Sequence, residues 1–405
     1  MKENKYKYAH VFTVDSGLYN RTVQELICEI QNTDEHIFIY MHSMSFSLVK
    51  DRNLGATLLE EVPCTVEILR KALGLAQIVV IHNMGFPNAE IMKLSDSEAS
   101  RLVWSVWGPD LHINRKKLAR KPRKRGVLYH FARFCWHLLK FRHIRIIRKD
   151  SLVWKQIAFA EAAEAKINKF RAICAGFEGD IKEIRRRFPD VPVHQASYPG
   201  ERSLEKIAEW KNKLHKNDEP HKRPRVLVGH CAYSHLQHEK WLKKLSEQKN
   251  MTGGGIDVYL PLTYGNKQYA DKIERMAKEL FGDSAVVFRE SLTLEKYFSE
   301  VLAAVDVAIF DFDTSSAYGN ALLLLYLGKK IYYPEHSVMY EGLNRNGACV
   351  YKIEDFDVNA LSPQSEETVQ NNVLFASKRF DLNWWREQWK GLFDLLENDV
   401  EAVRG

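Results

Sequence analysis

The chain has 405 residues, 45% hydrophobic and 27% charged, with a formal net charge of +7. That length exceeds one typical core and predicts two domains, and the ordinary composition excludes collagenous, disordered and disulfide-framed classes. The six cysteines (Cys28, Cys64, Cys135, Cys174, Cys231, Cys349) have no Cys-x-x-Cys spacing, which predicts free thiols in a reducing cytoplasm rather than a zinc site.

The chain opens on MKENKYKYAH, polar and basic with no apolar h-region, so no secretory signal is expected. No run reaches the roughly 18 apolar residues of a membrane-spanning helix. Strands are predicted at YAHVFTVD, HIFIYMHS, AQIVVIHN, RLVWSVWG, RAICAGF and VPVHQAS, with helical patterns such as QELICEIQ and GDIKEIRRRF between most of them. Between WSVWGPD and a helix predicted around Leu152 to Lys169 lies a basic insertion. From Arg115 to Lys149 it holds 14 Lys or Arg and no Asp or Glu. Without those cations the remaining chain is net acidic, so the basic character is one concentrated element.

KNKLHKNDEPHKRPR is polar and Pro-bearing, which predicts a linker with its boundary near Asn217 to Pro224. Beyond it, RVLVGH, IDVYLPLTYGN, SAVVFRE, VDVAIFDFD and KKIYYP alternate with helix-length segments, the rhythm of βαβ units in a parallel sheet. The last segment, LNWWREQWKGLFDLLENDVEAV, is an amphipathic helix. Trp384, Trp385, Trp389, Leu392 and Phe393 are spaced to pack against a domain. The predicted organisation is an N-terminal Rossmann-like domain over 1–216 carrying the insertion 115–149, a second over 217–380, and a helix over 381–405.

In parallel sheets ligands bind at the carboxyl ends of strands, where helix N-termini offer free N–H groups to phosphate. Gly229 and His230, then Tyr264, Gly265 and Asn266, then Arg289 and Glu290, then Ser315, Ser316, Gly319 and Asn320 occupy such ends and are candidates for a phosphorylated ligand. Gly265 permits a tight turn, and Tyr264 can stack on a base or sugar. For Ser315 and Ser316, helix capping is the alternative role, and for Tyr264 to Asn266 it is a turn with a core tyrosine. Arg289 and Glu290 read equally well as an exposed ion pair.

Two Rossmann-like domains and a C-terminal helix suggest the GT-B layout of glycosyltransferases. WSVWGPDL, VLVGHCAYSHLQH, VYLPLTYGNKQYADKI, LEKYFSEVLAAVDVAIF and SAYGNALLLLYLGKKIYY, in that order, resemble TDP-N-acetylfucosamine:lipid II N-acetylfucosaminyltransferases, glycosyltransferase family 56. The likeness is close over Val226 to Tyr333 and thinner over Ile81 to His112. It implies transfer of 4-acetamido-4,6-dideoxygalactose from a TDP-sugar to an undecaprenyl-diphosphate-linked saccharide on the cytoplasmic membrane face, during assembly of a surface polysaccharide. The chain departs from the family pattern at His230-Cys231, where Asn-Ser is usual, and at Thr314-Ser315-Ser316, where Arg-Gln-Gln is usual.

Such a reaction needs stabilisation of the departing diphosphate and a proton acceptor for the attacking hydroxyl. Asp110 in WGPD, then His82 ending AQIVVIHN, then Asp15 ending the first strand, are the acceptor-side candidates for the base. Asp311-Phe312-Asp313 has carboxylate spacing but directly follows a buried strand, so no metal and no other cofactor is expected. Within Arg115 to Lys149, aromatic residues interleaved with cations predict binding to an anionic membrane surface. Two alternatives use the same residues: a nucleotide-sugar 2-epimerase, or a non-catalytic RNA-binding protein. The confinement of charge to one segment makes a nucleic-acid partner unexpected.

Overall fold

The computed structural model describes residues 4–14, 17–42, 46–47, 55–108, 110–111, 161–196, 203–214, 223–248 and 255–404. Asp15 and the basic segment 115–149 lie outside the described residues. The chain divides into two compact units, each an α/β fold around one all-parallel sheet.

The first unit comprises Met1–Gly176, Asp180–Tyr198 and Gln388–Gly405. Its sheet has the order β3-β2-β1-β4-β5-β6-β7. The strands are β1 (Tyr6–Phe12), β2 (His36–Tyr40), β3 (Ala56–Leu59), β4 (Ala76–His82), β5 (Leu102–Val106), β6 (Ala172–Ala175) and β7 (Val193–Gln195). Parallel strands are covered on both faces, which is why β1, β2 and β4 read as near-continuous apolar runs. Alternation splits β1: Ala9 and Val11 join one apolar cluster, while Tyr8, His10 and Phe12 face the other side. That other face is covered by the end of helix Leu382–Arg404. Phe393 meets Tyr8 edge-on at 5.0 Å, and Trp389 lies 5.9 Å from the ring of His82. Each such buried aromatic contributes on the order of 1.5–3 kcal/mol. Arg171 Nη2 adds a 2.8 Å hydrogen bond to the Leu396 carbonyl.

The second unit comprises Phe177–Gly179 and Pro199–Glu387. Its sheet order is β10-β9-β8-β11-β12-β13. The strands are β8 (Arg225–Val228), β9 (Asp257–Pro261), β10 (Ala285–Phe288), β11 (Val307–Ile309), β12 (Lys330–Tyr333) and β13 (Tyr351–Lys352). The unit begins at Pro199, ahead of the polar stretch expected as the linker. Helix Leu204–Lys213 buries Ile207 and Trp210 in the second unit's core, so it cannot stay with the first. Helix Tyr318–Tyr326 is apolar nearly all round, and Ala321 to Tyr326 are all buried in it.

In both sheets the strand order reverses once, between β1 and β4 and between β8 and β11. Loops leaving the carboxyl ends of a reversing pair diverge to opposite faces and leave a crevice, the usual ligand position in open α/β sheets.

Candidate functional site

In the second unit the crevice lies between the loop after β8 and the loop after β11. Gly229 N donates to the Ile309 carbonyl at 3.0 Å, which keeps the two loop starts side by side. Gly229 has φ +69°, and a Cβ there would come within 2.5 Å of His238 Nε2, so the turn requires glycine. His230 follows with 8% exposure, its ring 5.4 Å from Phe312 and 6.2 Å from Phe310. Burial drives its pKa down to about 3, assisted by His235 and His238, so the ring is neutral. Its Nδ1 is buried without a hydrogen-bond partner.

The loop after β9 locks onto the loop after β8. Ala232 N donates to the Tyr264 carbonyl at 2.8 Å, and Asn266 N donates to the Ala232 carbonyl at 2.9 Å. Gly265 at φ +115° leaves only 2.6 Å between a Cβ position and the Ala232 carbonyl oxygen. Tyr264 is presented outward at 56% exposure, available for stacking. Asn266 accepts from Tyr269 N at 2.8 Å and caps helix Lys267–Phe281; its side chain is thus a structural cap.

After β11 the chain runs through Asp311, Asp313 and the serines into helix Tyr318–Tyr326. Ala317 caps that helix in the left-handed region at φ +59°, with no side-chain hydrogen bond to the helix start. The helix start carries the positive end of the helix dipole. Ser315 is 6% exposed, and its Oγ has no partner. Ser316 pairs with Thr314 at 2.8 Å, and Asn320 Nδ2 donates to the Tyr297 hydroxyl at 3.2 Å. Gly319 lies inside the helix with negative φ, so the strained residue of the turn is Ala317.

Arg289, Asp311 and Asp313 are each taken up by other partners. Arg289 pairs with Asp271 at 2.6 Å and Glu274 at 2.7 Å on helix Lys267–Phe281, so its charge is taken up in ion pairs; Glu290 beside it is exposed. Asp311 Oδ2 accepts from Lys240 Nζ at 2.7 Å and Trp241 Nε1 at 2.8 Å, and Asp313 faces His336 Nε2 at 2.9 Å. Among the described residues no group of three or more His, Cys, Asp or Glu is arranged to hold a metal ion.

In the first unit the crevice lies between the loops after β1 and β4. Asn83 sits there at φ +67°. Asp110 lies at the end of the next loop, but it is fully engaged. Oδ2 accepts from Met84 N at 2.8 Å and Trp104 Nε1 at 2.9 Å, and Oδ1 accepts from Trp107 N at 2.9 Å. Burial raises its pKa, and Asp180 adds to the rise, while these three donors oppose it. Asp110 thus fixes the β4 and β5 loops in place.

His82 does not reach the loop edge, which corrects its reading as a base. It is 1% exposed, with Phe12 stacked on it at 4.4 Å, and its Nε2 lies 3.0 Å from His10 Nδ1. His10 Nε2 in turn meets His36 Nδ1 at 3.0 Å, forming a buried chain of three imidazoles across β4, β1 and β2. The sequence reading missed His42, which leaves β2 at the same edge. It is exposed, and its Nε2 lies 3.1 Å from the Thr13 carbonyl, so Nε2 carries the proton and Nδ1 remains an acceptor. Its position directly after the HIFIY strand was the available signal. His238 was likewise missed, because a histidine opening a helix reads as an ordinary first-turn residue.

A family model described as 4-alpha-L-fucosyltransferase glycosyl transferase group 56 matches residues 132–388, more than half of the chain. The thinner likeness over Ile81 to His112 falls outside that span. No curated protein matches the chain by sequence. Among solved structures, a glycosyltransferase from Rickettsia africae ESF-5 is similar with a TM-score of 0.61 at 10% identity, over 98% of this chain and 100% of that one. A UDP-forming α,α-trehalose-phosphate synthase from Burkholderia vietnamiensis gives 0.60 at 10% identity, over 98% and 100%. Anabaena HepE in complex with UDP gives 0.56 at 9% identity, over 96% and 99%. These likenesses establish the two-domain GT-B fold.

Proposed function

Since the chain belongs to the 4-alpha-L-fucosyltransferase family, glycosyl transferase group 56, it is a glycosyltransferase, and we propose that it moves an N-acetylfucosamine-like amino-deoxyhexose from a TDP-sugar to a polyprenyl-diphosphate-linked saccharide. Family membership favours transfer over both the isomerisation and the RNA-binding readings. One observation carries the donor site: on the loop after β11, at the β8/β11 crevice, Ser315 Oγ is buried and unpartnered two residues before the left-handed Ala317 that opens helix Tyr318–Tyr326. Unpaired buried polar groups are costly, and donors directed at a crevice suit an anion that completes them. The structure of HepE with UDP supports a nucleotide at this kind of fold.

In the proposed reaction the acceptor hydroxyl attacks the anomeric carbon, and the bond from that carbon to the β-phosphate oxygen breaks. The oxygen leaves with the electron pair. Helix-start N–H groups and the Ser315 hydroxyl stabilise the charge that develops on it. The hydroxyl proton needs a base, and within the first unit the proposed one is His42, whose Nδ1 is the acceptor that its bond to Thr13 leaves available. Asp110 is a positioning residue that holds the loop after β4.

The basic segment 115–149 is proposed to hold the enzyme on the cytoplasmic membrane face, close to its lipid-linked acceptor; among the described residues no helix is long and apolar enough to cross a membrane. Incubating the purified chain with labelled TDP-N-acetylfucosamine, with and without polyprenyl-diphosphate-linked saccharide, tests the function. Label in the lipid fraction supports it. Isomerised nucleotide sugar, or no turnover together with salt-sensitive RNA binding, refutes it. Flotation with anionic liposomes tests the membrane role: binding lost on deleting 115–149 supports it, and binding retained by the deletion variant refutes it.

A further inference from the structure

At the carboxyl end of β8, His238 packs against Gly229 and His230 follows that glycine in the chain. His238 opens helix His238–Gln248 and is wholly buried. Its Nδ1 faces the Tyr269 hydroxyl at 3.4 Å. With that hydroxyl donating, the proton of the neutral ring sits on Nε2. Nε2 has no partner and is directed at the bare Cα of Gly229, where a Cβ would be only 2.5 Å away. His230 Nδ1, just beyond the same glycine, is buried and equally unpartnered. Two buried, unpartnered imidazole nitrogens therefore belong to one turn, at the switch point of the sheet: His238 packs against Gly229 and His230 follows it in the chain.

We propose that His230 Nδ1 and His238 Nε2 form a phosphoryl-binding cradle around Gly229, holding an oxygen of the donor diphosphate with imidazole N–H groups in place of a metal or a fixed cation. The proposal rests on the nucleotide-sugar reading above and specifies its phosphate contacts.

The surroundings make the cradle proton-linked. His235 and Cys231 share the loop, Tyr264 comes from the loop after β9, and Tyr269 comes from the helix that follows. On the helix that His238 opens, Glu239 pairs with Lys272, and Lys240 pairs with Asp311 from the loop after β11. Burial keeps both rings neutral, with pKa values lowered to about 3 for His230 and about 4 for His238. An anion against the two nitrogens favours their charged forms and raises those values. Binding should therefore take up protons and strengthen as pH falls.

The test is calorimetric titration of the full chain with TDP-glucose, whose diphosphate diester does not itself titrate between about pH 5.5 and 7.5. Measurement in two buffers of different ionisation enthalpy gives the protons exchanged. The proposal expects net proton uptake and a tighter complex at the lower pH. It also expects an affinity loss of about tenfold or more in His230→Phe and in His238→Phe, with much of the affinity kept by His238→Gln, which retains an N–H donor. Circular dichroism checks each fold. Should His238→Phe fail to fold, His230→Phe and the proton count of the wild type decide. Binding of TDP-glucose that is unchanged in the variants and takes up no proton overturns the cradle alone. No binding by the wild type overturns the nucleotide-sugar reading together with it.

Discussion

Asp110 Oδ2 accepts the indole N–H of Trp104 at 2.9 Å, and the same oxygen accepts the backbone N–H of Met84 at 2.8 Å. A carboxylate serves this position because both oxygens must accept. In Asp110→Asn an amide NH₂ would confront at least one N–H donor. With these partners the variant should lose about 1–3 kcal/mol for each donor left unsatisfied. Urea denaturation followed by tryptophan fluorescence checks this. An unshifted midpoint would show that the three hydrogen bonds contribute little.

The histidine chain His36–His10–His82 predicts acid sensitivity of the first unit. Burial lowers the pKa to about 4 for His36 and about 3 for His82, and pushes His10 well below its usual range. Unfolded histidines titrate near 6.5, so below that pH the unfolded state binds more protons than the folded one. The stability contributed is full above about pH 6.5 and is lost as pH falls towards the folded values. The slope is up to about 1.4 kcal/mol per pH unit for each histidine. Urea midpoints between pH 7.5 and 5 measure it. A flat profile across that window would mean that the folded histidines titrate like the unfolded ones.

Gly265→Ala should cost about 1–3 kcal/mol, because the backbone is left-handed at φ +115° and the new methyl would meet the Ala232 carbonyl at 2.6 Å. It should also weaken nucleotide binding by loosening the loops after β8 and β9. Gly319→Ala, inside the helix, should instead leave stability unchanged or raise it by up to about 1 kcal/mol. Equal effects of the two substitutions on the thermal midpoint would contradict the placement of strain in this edge.

The sheets were legible because buried parallel strands such as Val79 to Ile81 and Val226 to Val228 are unbroken apolar runs. The edge strands Ala56–Leu59 and Tyr351–Lys352 were not, being short and half-buried with little pattern to carry them. The carboxyl-end loops were correctly placed, since strand ends and glycines mark them. Side-chain direction was not legible. His82 and His230 both end or follow strands, yet one stacks into a core while the other presents an unpartnered nitrogen. Alternation along a strand decides such cases, and a one-residue uncertainty in where the strand ends reverses the answer. Arg289 does form ion pairs, but its partners could not be named from the sequence: Asp271 and Glu274 lie a helix earlier, and their approach depends on tertiary packing.

On the acceptor side, His42→Asn should fold normally and lose turnover by roughly 10²–10⁴-fold, the range for removal of a general base. The transfer rate at saturating donor and acceptor measures it. Turnover near that of the wild type would remove His42 from the mechanism and turn attention to Asp15.

The central claim, a donor diphosphate seated at the β8/β11 crevice, is tested most directly by a crystal structure of the chain with TDP. The account predicts phosphate oxygens within hydrogen-bonding distance of Ser315 Oγ and the first N–H groups of helix Tyr318–Tyr326. TDP bound in the first unit, or in the second unit away from both loops, would contradict it.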